Sequence, residues 1–297
     1  MARKTRRAPP VVADPHRLNL GFYQGFDCDY HLNKTNALMC VLENLPQLKK
    51  KLFEKNEPQK EIDKFAQTLR AEIYFTECHL AEVTFALLIA AFQKKPHWLF
   101  LTEYDMGQVR RAIGSYLERD AHTLTGGRCN SIPEFLDAAV YTGLRPADLA
   151  KSARWKESLG NLDWLLRRAG KRYISADEYN AYKHGLRVRT GHTRLAIYPD
   201  GQPEKATTIA SSPDSLTFLQ VRTDSEGARR AFLRTKHFSH LESFNHIIAL
   251  WKVLKTIRES RLARLDGKPG GAIETFLTVD RNKIERLSKS AEFEISV

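Results

Sequence analysis

The sequence has few cysteines and lacks the short motifs of several well-known catalytic classes. Its four cysteines lie far apart and form no C-x-x-C pair, which argues against a disulfide framework and against a cysteine zinc site. No Walker-type phosphate loop, G-x-G-x-x-G turn, G-x-S-x-G elbow or H-E-x-x-H helix is present. The sequence therefore predicts no cofactor and gives no motif for a common hydrolase or dehydrogenase.

Long hydrophobic runs are also missing. The longest run, Leu80 to Phe92, has 13 residues and contains Glu82, whereas a helix that crosses a bilayer needs about 20 apolar residues. The basic stretch at residues 1–10 has no apolar segment after it, so a secretory signal is not expected. Together with the scattered cysteines, these features predict a cytoplasmic protein that does not bind membranes.

Positive charge dominates, and its distribution is uneven. The 297 residues include 47 Lys plus Arg and 35 Asp plus Glu, which gives a formal net charge of +12. Residues 1–150 carry a net charge of +2, and residues 151–297 carry +10. A positive field of this kind in the C-terminal half favours an anionic partner such as RNA or another nucleic acid. Residues 1–15, which are rich in arginine and proline, are predicted to form a disordered basic arm.

Hydrophobic periodicity predicts a helical N-terminal part with a β-rich segment after it. Helices are expected at about 31–53, 58–93, 106–124, 132–142, 147–169, 175–189 and 239–264. Strands are expected where short segments are rich in Thr, Leu, Ile and Val, at 193–198, 206–210, 216–223 and 228–236, with further candidates at 273–279 and 293–297. A cluster of turn-forming residues at 211–214 is expected to separate two of these strands.

The order of these elements predicts an α+β fold that is mainly α. A large helical bundle is expected at 16–190, with residues 16–30 irregular. At 191–297 a small antiparallel β-meander is expected, with the long helix at 239–264 packing back on the bundle.

One candidate site lies on the predicted helix at 58–93. Glu72, His79 and Glu82 share one stripe of this helix, at spacings of seven and three residues. Carboxylates and imidazoles at helical spacing bind metals in some helical bundles, so these three are candidate metal ligands. The favoured interpretation is instead a hydrogen-bonded group that fixes helix packing. The start of the last long helix is interpreted as capped by Ser239.

A second candidate site lies on the helix that a capping-box pattern, Ser175 to Glu178, predicts. Asn180, His184 and Arg187 lie on one face of this helix, at positions i, i+4 and i+7. Together they can hold a phosphate, with His184 as an acid or base near neutral pH. The alternative is a solvated helix face with a core histidine.

The chain around this second site is strongly basic. The candidate nucleic-acid contacts are Arg167, Arg168, Lys171, Arg172, Lys183, Arg189 and Arg194. Tyr173, Tyr179 and Tyr182 lie among them. Basic and aromatic residues together suit single-stranded nucleic acid, because phosphates are attracted and bases stack. A run of charges is also typical of a solvated helix face, and that alternative stays open.

The pair Asn180 and His184 resembles part of the R-N-x-x-x-H motif of the HEPN (higher eukaryotes and prokaryotes nucleotide-binding) class. Members of that class are helical bundles, and many are metal-independent ribonucleases that act as dimers. The resemblance covers one helix and implies a homodimer in which His184 is catalytic and Asn180 and Arg187 assist. Tyr179 stands where the motif has arginine and supplies no fixed positive charge, so a binding or regulatory member is favoured.

The sequence leads to three functional hypotheses. The first is a binding or regulatory protein, not an enzyme, that binds nucleic acid or a protein partner through its basic C-terminal half. The alternative is a HEPN-like metal-independent endoribonuclease with His184 as the catalytic residue. The second alternative is a metal-dependent enzyme that uses Glu72, His79 and Glu82.

Overall fold

Helices make up most of the described chain, and a small antiparallel sheet follows them. This computed structural model describes residues 14–53, 58–142, 153–183, 188–197, 207–223, 227–267, 281, 284 and 292–296. The predicted fold class is confirmed, because the protein is α+β, mainly α, with the sheet in the C-terminal half. Residues 1–13 of the predicted basic arm and the candidate strand at 273–279 lie outside the described residues.

The order of elements is a series of helices, a sheet and one long helix. The helices before the sheet are α1 (Pro15–Gly25), α2 (Tyr30–Glu43), α3 (Leu45–Leu52), α4 (Gln59–Ala90), α5 (His97–Glu103), α6 (Met106–Leu117), α7 (Ala121–Thr125), α8 (Ile132–Leu136), α9 (Ala153–Ile174) and α10 (Asp177–Lys183). A π-helical turn, Asp137–Tyr141, continues α8. The strands β1 (Val188–Ile197), β2 (Thr207–Thr223), β3 (Arg229–His237) and β4 (Glu292–Ser296) form one antiparallel sheet in that order. The long helix α11 (His240–Leu265) separates β3 from β4 in the sequence.

The helix α4 forms the centre of the fold. Apolar and small side chains surround its second half, and nearly all of Leu80 to Ala90 is buried. The helix α11 packs along α4, while α2, α6 and α9 cover other sides. By length and composition α4 could cross a membrane, but 89% of its most apolar 18-residue window is buried inside the protein. Its apolar surface is therefore used for packing against the other helices.

The first helix corrects the prediction that residues 16–30 are irregular. The Asp14 carboxylate accepts a hydrogen bond from the His16 amide, and Pro15 occupies the first helical position, so α1 has a local start signal. Tyr23 of this helix is fully buried in the core. Packing of the Tyr23 ring in the core stabilises α1, and the local sequence pattern does not predict this tertiary contact.

The predicted helix at 106–124 is divided into α6 and α7. Arg119 turns the chain between them with a positive φ of 66°. The Asp120 carboxylate then accepts a hydrogen bond from the Thr123 amide and begins α7. The predicted helix is therefore divided because an N-cap residue, Asp120, lies within it.

The predicted helix at 175–189 is too long, because its last two residues belong to a strand. The helix α10 ends at Lys183 and β1 begins at Val188, so the prediction of a helix to position 189 is wrong. The Ser175 hydroxyl donates to the Arg172 carbonyl, and α10 begins only after it. Pairing with β2 satisfies the backbone groups of β1, and this outweighs the local helix signal.

The strand β2 runs without a break through 211–214, where the sequence predicts a turn. Ser211 and Ser212 pair with β1, opposite Arg194 and Thr193. Register shifts between the two strands accommodate the longer pairing. At the other edge, β4 pairs with β3, which confirms the predicted C-terminal strand.

Candidate nucleic-acid interface

The helix α9 has one buried face and one more exposed face. Its apolar side chains, including Trp155, Leu162 and Leu165, pack into the core. The residues at 160, 164, 167, 168 and 171 share another stripe at helical spacing, and all of them are half-buried or exposed. Burial of the apolar face thus turns the basic residues of α9 toward the surface.

A buried network of charges joins α4, α9 and α11. Glu77 of α4 contacts Arg172 of α9 at 3.0 Å and His246 of α11 at 2.6 Å. Glu242 of α11 contacts Arg168 at 2.7 Å and Arg172 at 2.6 Å. Arg168 Nε donates to His246 Nε2 at 2.9 Å, so the ring proton lies on Nδ1 and faces Glu77. The network therefore fixes the relative positions of the three helices.

Glu77 of this network is ionised at neutral pH. Burial alone would raise the pKa of Glu77, but Arg172 and His246 outweigh this effect and lower the pKa to about 2. Loss of one partner from a buried ion pair typically costs about 3–5 kcal/mol, because the other charge is left uncompensated. Arg168 and Arg172 are therefore needed for the fold, whatever they bind at the surface.

A cavity of about 250 Å³ opens beside this network, between α9, β3 and the start of α11. The cations that line it are Arg168, Lys171, Arg172 and Lys236. Glu242 is the carboxylate among its described lining residues. Lys236 is held in place by the buried Glu178 at 2.8 Å, and Tyr74 donates to the same carboxylate. The cavity therefore has more positive than negative side chains.

A second cavity, of about 450 Å³, adjoins the first, because Arg168 and Lys171 line both. Trp164, Arg167 and Arg281 contribute to its wall. The guanidinium carbons of Arg168 and Arg281 lie 5.8 and 5.6 Å from the centroid of the Trp164 ring, which is within cation–π range. We name the two adjoining cavities together the basic groove.

The basic groove carries a net positive charge. Its six cations are Arg167, Arg168, Lys171, Arg172, Lys236 and Arg281. Its two lining carboxylates already have partners, because Glu242 belongs to the buried network and Asp163 pairs with Arg119 at 2.6 Å. In the part of the chain that the structure describes, Arg167 and Lys171 have neither an ion pair nor a side-chain hydrogen bond. These two side chains are available to an anionic ligand.

The other predicted nucleic-acid contacts lie away from the basic groove or beyond the described side chains. Lys183 pairs with Glu82 at 2.6 Å at the end of α10. Arg189 is exposed on β1 and does not line the groove. Arg194 lies in β1, and its side chain is outside the described part of the structure. The groove therefore brings together Arg167, Arg168, Lys171 and Arg172 from the predicted set.

The predicted catalytic residues are described only in part. His184 and Arg187 lie outside the described residues, so their roles stay predictions. Asn180 is half-buried on α10, and its Oδ1 is buried with no hydrogen-bond partner among the described residues. Tyr179, at the position of the motif arginine, is buried and donates to Glu82 at 3.1 Å. It therefore contributes to packing and supplies no charge.

The candidate metal ligands on α4 have separate partners. Glu72 pairs with Lys34 at 3.2 Å, and Glu82 pairs with the lysine at the end of α10. His79 Nδ1 lies 3.2 Å from His31 Nε2. Within the described ranges, no group of three or more His, Cys, Asp and Glu side chains could hold a metal ion. Each of the three side chains therefore has its own partner on a neighbouring helix.

Several residues of the basic groove were not found by sequence reasoning. Trp164 precedes Arg167 and Arg168 by three and four positions on α9, and this spacing is a signal that could have found it. Lys236 and Arg281 come from distant parts of the chain. No spacing in the sequence indicates that they meet α9.

Comparisons with protein-family models, curated proteins and solved structures gave no match to this chain. The fold and the site define it as a mainly helical α+β protein with a basic groove on α9. Its function is therefore inferred from the geometry of that site.

Proposed function

We propose that this protein binds single-stranded nucleic acid in the basic groove. The observation that supports this function best is the meeting of six cations around two adjoining cavities whose lining carboxylates already have partners. Phosphates bind such a surface because the condensed counterions of the nucleic acid are released. Arginine guanidinium groups also match phosphate oxygens through paired hydrogen bonds.

Trp164 favours single-stranded nucleic acid over a simple anion. Its ring lines the groove beside Arg167 and Lys171. Exposed bases stack on aromatic rings and on guanidinium planes, and each stacked base contributes about 1–3 kcal/mol. Because the bases of a duplex are stacked on one another, we expect a single strand to bind more tightly than the duplex of the same sequence.

The test of this function is fluorescence anisotropy with a labelled single strand, as RNA and as DNA. Lys171→Glu reverses a charge that has no partner among the described residues, so affinity is expected to fall on the order of 10-fold. Lys60→Glu is the matched control, because Lys60 is exposed in the first turn of α4, about 25 Å along that helix from Glu77. The control is expected to keep the wild-type affinity.

Two results would contradict the proposed function. One is equal affinity of Lys171→Glu and Lys60→Glu for the single strand. The other is an affinity that does not change between roughly 50 and 200 mM salt, since binding that depends on phosphates weakens steeply over this range.

Endoribonuclease activity is the alternative function. The observation in its favour is that Asn180 Oδ1 is buried with no hydrogen-bond partner among the described residues, since this amide belongs to the predicted motif. If the labelled RNA is cut, His184→Ala is expected to abolish cutting and to leave binding intact. Equal cutting by this variant would exclude His184 as the catalytic residue.

A further inference from the structure

A second cluster of cations lies at the other end of α11 from the basic groove. A cavity of about 430 Å³ opens between α1, the end of α4 and the end of α11. Arg128, Arg261 and Arg264 line it, and none of its described lining residues is a carboxylate. Arg261 lies about 28 Å along α11 from Glu242, so this cavity and the basic groove are separate sites.

Arg261 forms the buried wall of this cavity. Its side chain is only 9% exposed, and its guanidinium donates to the Ala139 carbonyl at 2.9 Å. Its Nε is buried and has no hydrogen-bond partner among the described residues. Burial and the neighbouring Arg264 lower the pKa of Arg261, which shows that both disfavour its charge. A buried charge of this kind is stabilised by an opposite charge, either from the protein or from a ligand.

Backbone carbonyl groups balance only part of the charge. Arg261 and Arg264 donate to the carbonyls of Ala139 and Thr142, at the end of the π-helical turn. The carbonyl groups at the end of a helix act together as about half of a negative elementary charge. The two guanidinium groups carry two full positive charges, and exposed Arg128 adds another at the rim. Among the described residues, an excess of positive charge remains that an anion with two negative charges would balance.

The wall also includes the polar residues His97 and Tyr23 and an apolar part. His97 Nδ1 lies 2.8 Å from the Tyr23 hydroxyl. Burial and the nearby Arg261 lower the pKa of His97 to about 4, and burial raises the pKa of Tyr23 to about 12, so both are uncharged at pH 7. Phe92 and Leu265 supply apolar surface. The cavity volume lies within the range of small-molecule sites, about 300–1,000 Å³.

We propose that this cavity binds a small phosphorylated molecule. The phosphate group lies against Arg261 and Arg264, with Arg128 at the rim, and the organic part lies against Phe92 and Leu265. A phosphate with two negative charges matches the forked hydrogen-bond donors of arginine, and three arginines exceed what a single carboxylate would balance. This site goes beyond the proposed nucleic-acid function and does not depend on it.

The experiment uses inorganic phosphate as the probe and thermal unfolding as the measurement, with sodium chloride of equal ionic strength as the blank. Phosphate at about 100 times its dissociation constant is expected to raise the wild-type unfolding temperature by about 5 °C. Arg261→Gln is expected to lose this shift. Its unfolding temperature without phosphate is expected to stay equal or to rise, because the variant no longer buries a charge that the described residues balance only in part.

A second variant and two controls keep the result specific to this cavity. Arg264→Gln changes an exposed residue, so it is expected to fold and to lose the shift as well. Lys255→Gln, exposed on the same helix, and Lys171→Glu, in the basic groove, are expected to keep the shift. General stabilisation by phosphate as a solute would affect all variants alike. The proposal is overturned if phosphate stabilises the wild type no more than chloride does, or if Arg264→Gln shows the wild-type shift.

Discussion

Buried His31 and half-buried His97 show how single side chains link this fold to pH. His31 lies on α2, and its Nε2 contacts His79. Burial, followed by the charges of His79 and Lys34, lowers the pKa of His31 to about 4. The pKa of His97 is lowered to about 4 as well. Because a histidine in an unfolded chain has a pKa of about 6.5, the unfolded protein binds more protons than the folded protein between these values.

We expect the free energy of unfolding to fall as the pH drops from about 6.5 toward 4. Each of the two histidines contributes a slope of up to about 1.4 kcal/mol per pH unit in this window. His31→Asn is expected to reduce this slope, and His122→Asn, which changes an exposed histidine, is expected to keep it. Urea unfolding between about pH 7.5 and pH 4.5 measures the slope. A wild-type slope in His31→Asn would show that burial does not shift its pKa.

At the scale of elements, the position of α9 depends on Gly170. A Cβ atom at this residue would lie 2.9 Å from Ile113 Cγ2 and 3.3 Å from Phe85 Cζ. Gly160, on the same helix, is exposed, and a Cβ atom there would lie 3.8 Å from Arg281 Nη2. Gly170 therefore permits close packing of α9 on α4 and α6, whereas Gly160 does not have this role.

These two glycines give opposite predictions for the same substitution. Gly170→Ala is expected to lower the free energy of unfolding by about 1–3 kcal/mol, because it overpacks the contact with α4 and α6. Gly160→Ala is expected to raise it by about 0.5–1 kcal/mol, because alanine favours a helix interior. Urea unfolding of both variants measures the difference. Equal stability of the two variants would mean that α9 does not pack through Gly170.

At the scale of the whole molecule, the net charge is +12, and part of the positive charge lines two separate regions of the surface. The basic groove gathers cations from α9 and β3, together with Arg281. A separate arginine cluster lies at the end of α11. Because ions in solution screen exposed charges, only the binding of a charged ligand, and not the fold, is expected to depend strongly on salt.

The salt dependence of nucleic-acid binding reports the number of phosphate contacts. For a single strand, the slope of log affinity against log salt is about −0.7 for each contact. Combined Arg167→Gln and Lys171→Gln substitutions remove two contacts, so the slope is expected to become less steep by about 1.4. Lys60→Gln is the control and is expected to keep the wild-type slope. Anisotropy titrations across a salt series measure it, and an unchanged slope in the double variant would place the strand outside the basic groove.

The sequence by itself determined the fold class and the longest helices, and it singled out a basic stretch that contains Arg167 and Lys171. The helices depend on local signals: the apolar stripe of α4 and the cap of α11, where Ser239 accepts a hydrogen bond from the Glu242 amide. Local signals failed where distant pairing was stronger. The strand β1 begins at Val188 inside a predicted helix, because β2 satisfies its backbone groups.

Only the tertiary structure decided which charges meet and which are left to bind a ligand. Arg168 and Arg172 are neighbours of Lys171 in one basic stretch, yet they pair with carboxylates from α4 and α11 and fix the fold. Lys171 has no such partner among the described residues, and Arg261 is buried without a carboxylate among them. The free energy of a charge depends on burial and on charges within a few ångströms, and the spacing of residues in a sequence encodes neither.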